Sequence, residues 1–213
     1  PRSSSAASDV YKRQHIYMAY GIYLLRSQHR LIRRLRRIYD PSVHGHKMWR
    51  SSFLLMDYLR HVPPRKGAKI MEIGCGWGPG SVFCAREFDA DVTGVDVDRD
   101  VFPFLDVVAA LNGVKIRPLR KRFEDLTTAR LGREDMIVGS DICFWDNMIK
   151  PLRNLIGRAL KGGVDRVVIT DPGRPTFYEL ADLCAKRWDV DLREWYAVEP
   201  GRITGEVLEV RAS

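Results

Sequence analysis

Alternating strand and helix signals predict an α/β fold: a doubly wound, seven-stranded sheet, mostly parallel, closed by a C-terminal antiparallel hairpin. Apolar, β-branched runs recur at Lys69–Ile73, Asp91–Asp96, Val114–Arg117, Met136–Cys143 and Arg166–Thr170. Helical patterns lie between or after them, near Ser81–Glu87, Arg99–Leu111, Lys150–Leu160 and Thr176–Arg187. Such alternation covers both faces of a parallel sheet. The final two strand-like runs, Asp189–Glu199 and Gly205–Arg211, are joined through Pro200-Gly201 without a helix, which is a hairpin signal. At 213 residues there is length for one such domain with a full core and little room for a second.

The first strand leads into the chemistry. Lys69-Ile-Met-Glu-Ile-Gly-Cys-Gly-Trp-Gly-Pro-Gly80 places an acidic residue, Glu72, before glycines at alternate positions, Gly74, Gly76 and Gly78. Glycines at that spacing let the chain turn sharply and bring a ligand against bare backbone. The second strand ends in Asp96, where a carboxylate can accept both hydroxyls of a ribose. Together they describe a nucleoside pocket. A dinucleotide site wants G-x-G-x-x-G, with a helix N-terminus facing a pyrophosphate. Here the third glycine of that template falls on Pro79. Glu72 would repel a pyrophosphate but suits a ligand that carries an ammonium.

These residues resemble motif I of the class I S-adenosylmethionine (SAM) methyltransferases, E/D-x-G-x-G-x-G, at every fixed position. The resemblance implies a Rossmann-like fold, SAM as cofactor and methyl transfer as activity. Five parallel strands closed by a hairpin are similar to that family's seven-stranded sheet. Reading the strand ends in family order, the Glu72, Gly74, Gly76 and Gly78 backbone would line the methionine part of SAM. Asp96 would take the ribose hydroxyls, with Val97 under the adenine. Phe123 and Glu124 would meet the adenine, Glu124 at its exocyclic amine with Asp125 as rival, and Ser140 completes the cofactor set. An ordinary acidic pair at a helix start is the plain alternative for Glu124 and Asp125.

The fourth strand end carries Asp141-Ile-Cys-Phe144, then Trp145, and Pro151-Leu152 beyond. This resembles the D-x-x-Y and Pro-Leu pattern of the seven-β-strand protein lysine methyltransferases, with Phe where the family usually has Tyr. Lys47-Met-Trp-Arg-Ser-Ser52 resembles the same group, whose Trp precedes the first core helix. Asp171-Pro-Gly-Arg-Pro175 is similar to the corresponding loop of the lysine methyltransferases acting on electron-transfer flavoprotein β-subunit. The resemblance implies a protein substrate, with Asp141, Phe144 and Trp145 as catalytic and Trp49 and Arg174 as substrate-binding residues. A lysine amine must lose a proton before it attacks, from an ordinary pKa near 10.4. A water-poor slot between Phe144 and Trp145 would favour the neutral amine, and Asp141 would orient it. The plain alternatives are core aromatics, an Asp141 that caps the next helix, and an Arg174 that pairs with a local carboxylate rather than docking an acidic substrate segment.

The N-terminus divides differently. Ser4–Gln14 resembles the translation of a transposase-end adaptor used in preparing sequencing libraries, as on a metagenomic fragment, so residues 1–14 are set aside as a disordered artefact. Residues 15–60 are expected to form a basic helical arm and 61–213 the SAM-binding domain. Residues 15–50 hold Arg26, Arg30, Arg33, Arg34, Arg36, Arg37, Lys47 and Arg50 against Asp40 alone, a net +7, whereas residues 51–213 net −1. Leu24, Leu25, Leu31, Ile32, Leu35 and Ile38 recur near helical spacing and predict a helix over Ile16–Ile38, stopped by Asp40-Pro41. Such a helix suits an acidic protein surface or RNA, which keeps an RNA methyltransferase as an alternative to the protein lysine enzyme; a small-molecule N-methyltransferase and a non-catalytic SAM-binding module are others. The apolar run Ile16–Leu25 is too short to span a bilayer. Cys75, Cys84, Cys143 and Cys184 show no CxxC pairing, which reads as reduced thiols in a cytoplasmic protein, and no metal-ligand spacing stands out.

Overall fold

The computed structural model of the protein describes residues 15–42 and 44–213. The expectation for residues 1–14 lies outside them. Among the described residues nine strands form a small hairpin, β1 (Ile16–Ala19) and β2 (Ile22–Leu25), and one large sheet. The large sheet holds β3 (Lys69–Ile73), β4 (Asp91–Asp96), β5 (Arg117–Arg120), β6 (Met136–Ser140), β7 (Arg166–Asp171), β8 (Asp189–Ala197) and β9 (Ile203–Arg211). Its order is β5-β4-β3-β6-β7-β9-β8. β5 to β7 run parallel to β3, and β9 lies antiparallel between β7 and β8. The predicted doubly wound sheet with its closing hairpin is therefore the observed one.

Helices α1 (Arg30–Leu35), α2 (Ser51–His61), α3 (Pro79–Glu87), α4 (Phe102–Leu111), α5 (Thr128–Leu131), α6 (Asp146–Lys161) and α7 (Pro175–Ala185) complete the described elements. One face of the sheet is covered by α2, α3 and α4 through Leu54, Leu55, Phe83 and Val108, the other by α6 and α7 through Leu152, Leu155, Ile156, Phe177 and Leu180. The chain crosses from one half of the sheet to the other between β3 and β6. That is the switch point where open α/β sheets bind ligands beyond their carboxyl ends. No helix among the described residues is long and apolar enough to cross a membrane.

The predicted helix over Ile16–Ile38 is corrected. Tyr20 and Gly21 take φ of 50° and 77°, the left-handed pair of a tight hairpin turn, and Ile16–Ala19 pairs antiparallel with Ile22–Leu25. Only Arg30–Leu35 is helical. Ile22 and Leu24 are buried while Tyr23 between them is exposed, the period of two of a strand. Nor does this region stand apart from the sheet: Tyr20, Ile22 and Leu24 share one core cluster with Leu54 and Tyr58 of α2 and with Ile70, Val138 and Val207 of the sheet.

Strand boundaries also move, most at β5 and β6. β5 is Arg117–Arg120 rather than Val114–Arg117, because ladder pairing with β4 begins only at Thr93 and Arg117. β6 stops at Ser140 rather than at Cys143, because Asp141 turns the backbone to φ 59°.

A buried polar knot ties the hairpin to the far end of the sheet. The Tyr20 hydroxyl donates to Asp57 Oδ2 at 2.6 Å and accepts from the backbone N–H groups of Val198 at 2.9 Å and Glu199 at 3.1 Å. Deleting that oxygen strands donors and an acceptor away from bulk water. Tyr20→Phe is expected to lower stability by about 1–3 kcal/mol in urea unfolding monitored by fluorescence.

Candidate functional site

A cavity of about 350 Å³ opens at the carboxyl ends of β3, β4 and β6, within the size range of small-ligand sites. The glycine loop forms its floor. Gly74, Gly76 and Gly78 have φ of 66°, 51° and 69°, conformations that a side chain makes unfavourable. Their surroundings differ. A Cβ on Gly78 would sit 1.9 Å from Leu105 Cδ1 and one on Gly74 would sit 2.5 Å from Ile142 Cγ2, whereas one on Gly76 would meet nothing within 4 Å. Gly76 borders the open cavity together with Gly74; Gly78 lies off it and lets α4 approach the loop.

Glu72 also lies off the cavity. It is 2% exposed, and its Oε2 accepts from the Ser81 hydroxyl and, at 2.7 Å, from the Ser81 backbone N–H. Pro79, the first residue of α3, has no N–H to offer. The first turn of α3 thus has one donor missing and another committed to an internal carboxylate, a poor seat for a pyrophosphate. Burial outweighs the two Ser81 hydrogen bonds and pushes the Glu72 carboxyl up to about 7. A carboxyl raised on folding binds a proton that the unfolded chain releases at lower pH, so this group weakens the fold as pH rises from about 4.5 to about 7. Glu72→Gln is expected to remove that component. The difference in unfolding free energy between variant and wild type should shift in the variant's favour by about 3 kcal/mol between pH 4.5 and pH 8, against no shift if the group titrates normally.

Asp96 stands at the end of β4 with one oxygen accepting from Gly76 N–H and the other from Asp98 N–H, each at 3.0 Å. Burial raises its carboxyl above the usual range. Val97, Phe123, Glu124 and Ser140 all line the cavity, as do Lys121 and Arg122. The 3-10 turn Phe123–Asp125 is held from below by Arg158, which donates to the carbonyls of Phe123 at 2.7 Å and Leu126 at 2.9 Å. Asp125 is not part of the lining.

At the other end Asp141 is 6% exposed and lines the cavity floor. Its backbone N–H is held by Thr170 O at 2.9 Å, and its Oδ1 pairs with Arg174 Nη2 at 2.5 Å. Arg174 Nη1 meets Asp171 Oδ2 at 2.6 Å, while Asp171 Oδ1 accepts from the N–H groups of Gly173 and Arg174. Two carboxylates share one guanidinium, so the group is net negative with Asp141 nearest the cavity. Asp141 does not cap α6, whose N-cap is Trp145 without a side-chain bond. Arg174 sits behind Asp141 in a small recess with His44, Trp49 and Phe144.

Aromatic rings wall the mouth. Phe144 and Trp145 meet edge to face at 4.8 Å between centroids, and His44 lies 4.7 Å from Phe144 and 5.6 Å from Trp49. Trp145 is 48% exposed, which excludes a core role for it. His44, Gly45 and Lys47 are lining residues that the sequence had not offered as candidates. The loop carrying them is fastened by Trp77 Nε1 to Gly45 O at 2.8 Å and by Trp49 Nε1 to His44 O at 2.9 Å. Trp77 within the glycine loop was the one available hint, since an indole there needs an acceptor from elsewhere.

The chain matches no protein-family model. Over 130 residues it is 25% identical to the electron transfer flavoprotein beta subunit lysine methyltransferase of Rattus norvegicus, a match over 61% of this chain and 50% of that protein. The chain therefore spans about half the length of the curated relative it matches. Among solved structures, a methyltransferase from Pyrococcus furiosus superposes with a TM-score of 0.60 at 15% identity, covering 81% of this chain and 88% of that one. A SAM-dependent methyltransferase from Agrobacterium tumefaciens gives 0.60 at 15% identity, over 78% and 63%. The fold is that of the SAM-dependent methyltransferases. Within it, the cavity stands where Gly74, Gly76 and Asp96 converge, and the acidic, aromatic mouth stands at the end of β6.

Proposed function

We propose that the protein is a SAM-dependent methyltransferase whose acceptor is a lysine side chain of a protein. The carrying observation is the net-negative group Asp141, Arg174 and Asp171, with Asp141 facing the cavity beneath an aromatic mouth. An ammonium gains the Coulomb attraction of that group as well as a hydrogen bond to Asp141, whereas a neutral nucleobase amine gains the hydrogen bond alone. The rat protein that the chain resembles is a lysine methyltransferase, which supports the same acceptor class.

SAM fits the cavity on the chemistry of its lining. Asp96 would hold the ribose hydroxyls, Val97 and Phe123 would bracket the adenine, Glu124 would accept from its amino group, and Gly74 and Gly76 would leave room for the methionine part. When bound, SAM supplies a methyl group on a sulfonium, whose C–S bond breaks as the acceptor nitrogen forms its bond to carbon. Glu72 keeps the glycine loop and α3 in register rather than touching ligand.

The remaining work falls to the mouth. His44, Trp49, Phe144 and Trp145 would exclude water around the incoming chain, which favours the neutral amine. Asp141 would accept an N–H of that amine and fix its lone pair toward the methyl group; holding it at attack distance supplies most of the acceleration. Phe144 has no hydroxyl, so proton handling there is left to Asp141 and to solvent at the half-exposed Trp145. Arg174 acts as a positioning residue, because its guanidinium is already engaged by Asp141 and Asp171.

The test is transfer of labelled methyl from SAM into a cell lysate. Label that protease removes and ribonuclease leaves supports the reading. Label lost to ribonuclease makes the protein an RNA methyltransferase, and label found in small molecules alone overturns the protein acceptor. SAM binding without transfer to any lysate fraction would leave a binding module.

A further inference from the structure

We propose that the arginine face of α1 and its following turn docks an acidic segment of the substrate polypeptide beside the mouth; this rests on the protein-acceptor reading above. Arg30, Arg33, Arg34 and Arg37 are all exposed, and α1 has no acidic residue in its first turn. Between residues 15 and 50 the sequence offers Asp40 alone as a counter-charge. Arg30 and Arg34 stand one helical turn apart, a like-charge pair that weakens a short helix. Repulsion retained in the free protein is relieved by an anionic partner.

Anchoring places this face at the site. Ile32 is fully buried and packs with Trp77 and Phe104, so α1 is fixed to the glycine loop and α4. Arg36, next along the chain, donates to His46 O at 2.5 Å and lies over the Trp77 ring. His46 belongs to the loop that carries His44 and Lys47 into the cavity lining. The helix that carries the arginines therefore abuts the loop that walls the mouth.

The kind of anion follows from what surrounds the charges. Leu31 and Ile38, 42% and 64% exposed, stand among the arginines, and no aromatic ring lies on α1 for base stacking. Aliphatic contacts between cations suit an acidic polypeptide better than single-stranded RNA. An anionic membrane fits less well, because the apolar face that would insert is already used on Ile32 and Leu35 against the protein's own core.

The experiment uses the full chain and a variant carrying Arg30→Glu, Arg33→Glu, Arg34→Glu and Arg37→Glu together. Fluorescence anisotropy measures binding of two peptides that hold one lysine among glutamates or among glutamines. A uridine oligonucleotide and phosphatidylserine vesicles serve as competing probes. Calorimetry with SAM checks that the variant remains folded. The glutamate peptide is expected to bind more tightly, to weaken with salt, and to lose at least about tenfold in the variant, the scale of several surface ion pairs together. Where methyl transfer to the peptide is seen, the loss should fall on KM with kcat kept. Equal affinity for the two peptides, an undiminished affinity in the variant, or tighter binding of RNA or vesicles than of the glutamate peptide overturns the proposal. Charge-dependent peptide binding without lysine methylation keeps the docking face and removes the lysine acceptor.

Discussion

Asp96→Ala is expected to weaken SAM binding on the order of 10²–10⁴-fold in calorimetric titration, through loss of two charge-assisted hydrogen bonds of about 1.5–3 kcal/mol each. The carboxylate is prepared for that role: its oxygens already accept from Gly76 and Asp98 N–H, which fixes its orientation at the end of β4. Its burial disfavours the ionised form in the free protein, so the protein holds a charge that ligand hydroxyls would stabilise. Alanine relieves the burial of a charge but leaves the Gly76 and Asp98 N–H groups without their acceptor, so a stability loss of about 1–3 kcal/mol is expected beside the loss of affinity. Asp96→Asn retains an acceptor for one of them and should fall between wild type and alanine. An affinity for SAM that alanine leaves intact would place the nucleoside elsewhere.

The second large effect belongs to Asp141. Asp141→Asn is the informative change, because the position has φ 59° and asparagine tolerates that region where alanine does not. The amide keeps the shape and loses the charge, while Arg174 retains Asp171. Methyl transfer is expected to drop on the order of 10²-fold in kcat/KM, typical for one positioned acid–base or hydrogen-bonding group. SAM affinity should stay within about twofold, as Asp96 and the glycine loop are untouched. Arg174→Met should give a smaller loss, because it frees Asp141 without removing it. Equal transfer by wild type and Asp141→Asn would show that the carboxylate takes no part.

The lining around the glycine loop was legible because it is local. Strand β3, the glycine loop and Asp96 lie within one strand–helix–strand unit, so spacing along the chain maps directly onto spacing in the cavity. Gly74, Gly76, Asp96, Val97, Phe123, Glu124, Ser140, Asp141, Phe144, Trp145 and Trp49 all come to its lining. Glu72 and Gly78 carry the same motif yet act behind it, one under α3 and one against Leu105. Residue type alone does not tell a lining carboxylate from a buried brace. His44 and Lys47 were missed because a loop reaches the cavity by long-range anchors, Trp77 to Gly45 and Arg36 to His46, that leave no periodic trace. The misread of Ile16–Ile38 has the opposite origin. Two short strands and a six-residue helix place apolar residues at spacings that imitate one long helix, and the Tyr20-Gly21 turn is the stronger signal.

Methylation of lysine is read out by amino-acid analysis of the labelled product. Protein from the lysate reaction with methyl-labelled SAM is hydrolysed and its amino acids are separated. The predicted result is label co-migrating with N-methylated lysine, present with wild type and reduced on the order of 10²-fold with Asp141→Asn. Label in any other residue, or methyl-lysine formed equally by the variant, would rule out lysine methylation that depends on Asp141.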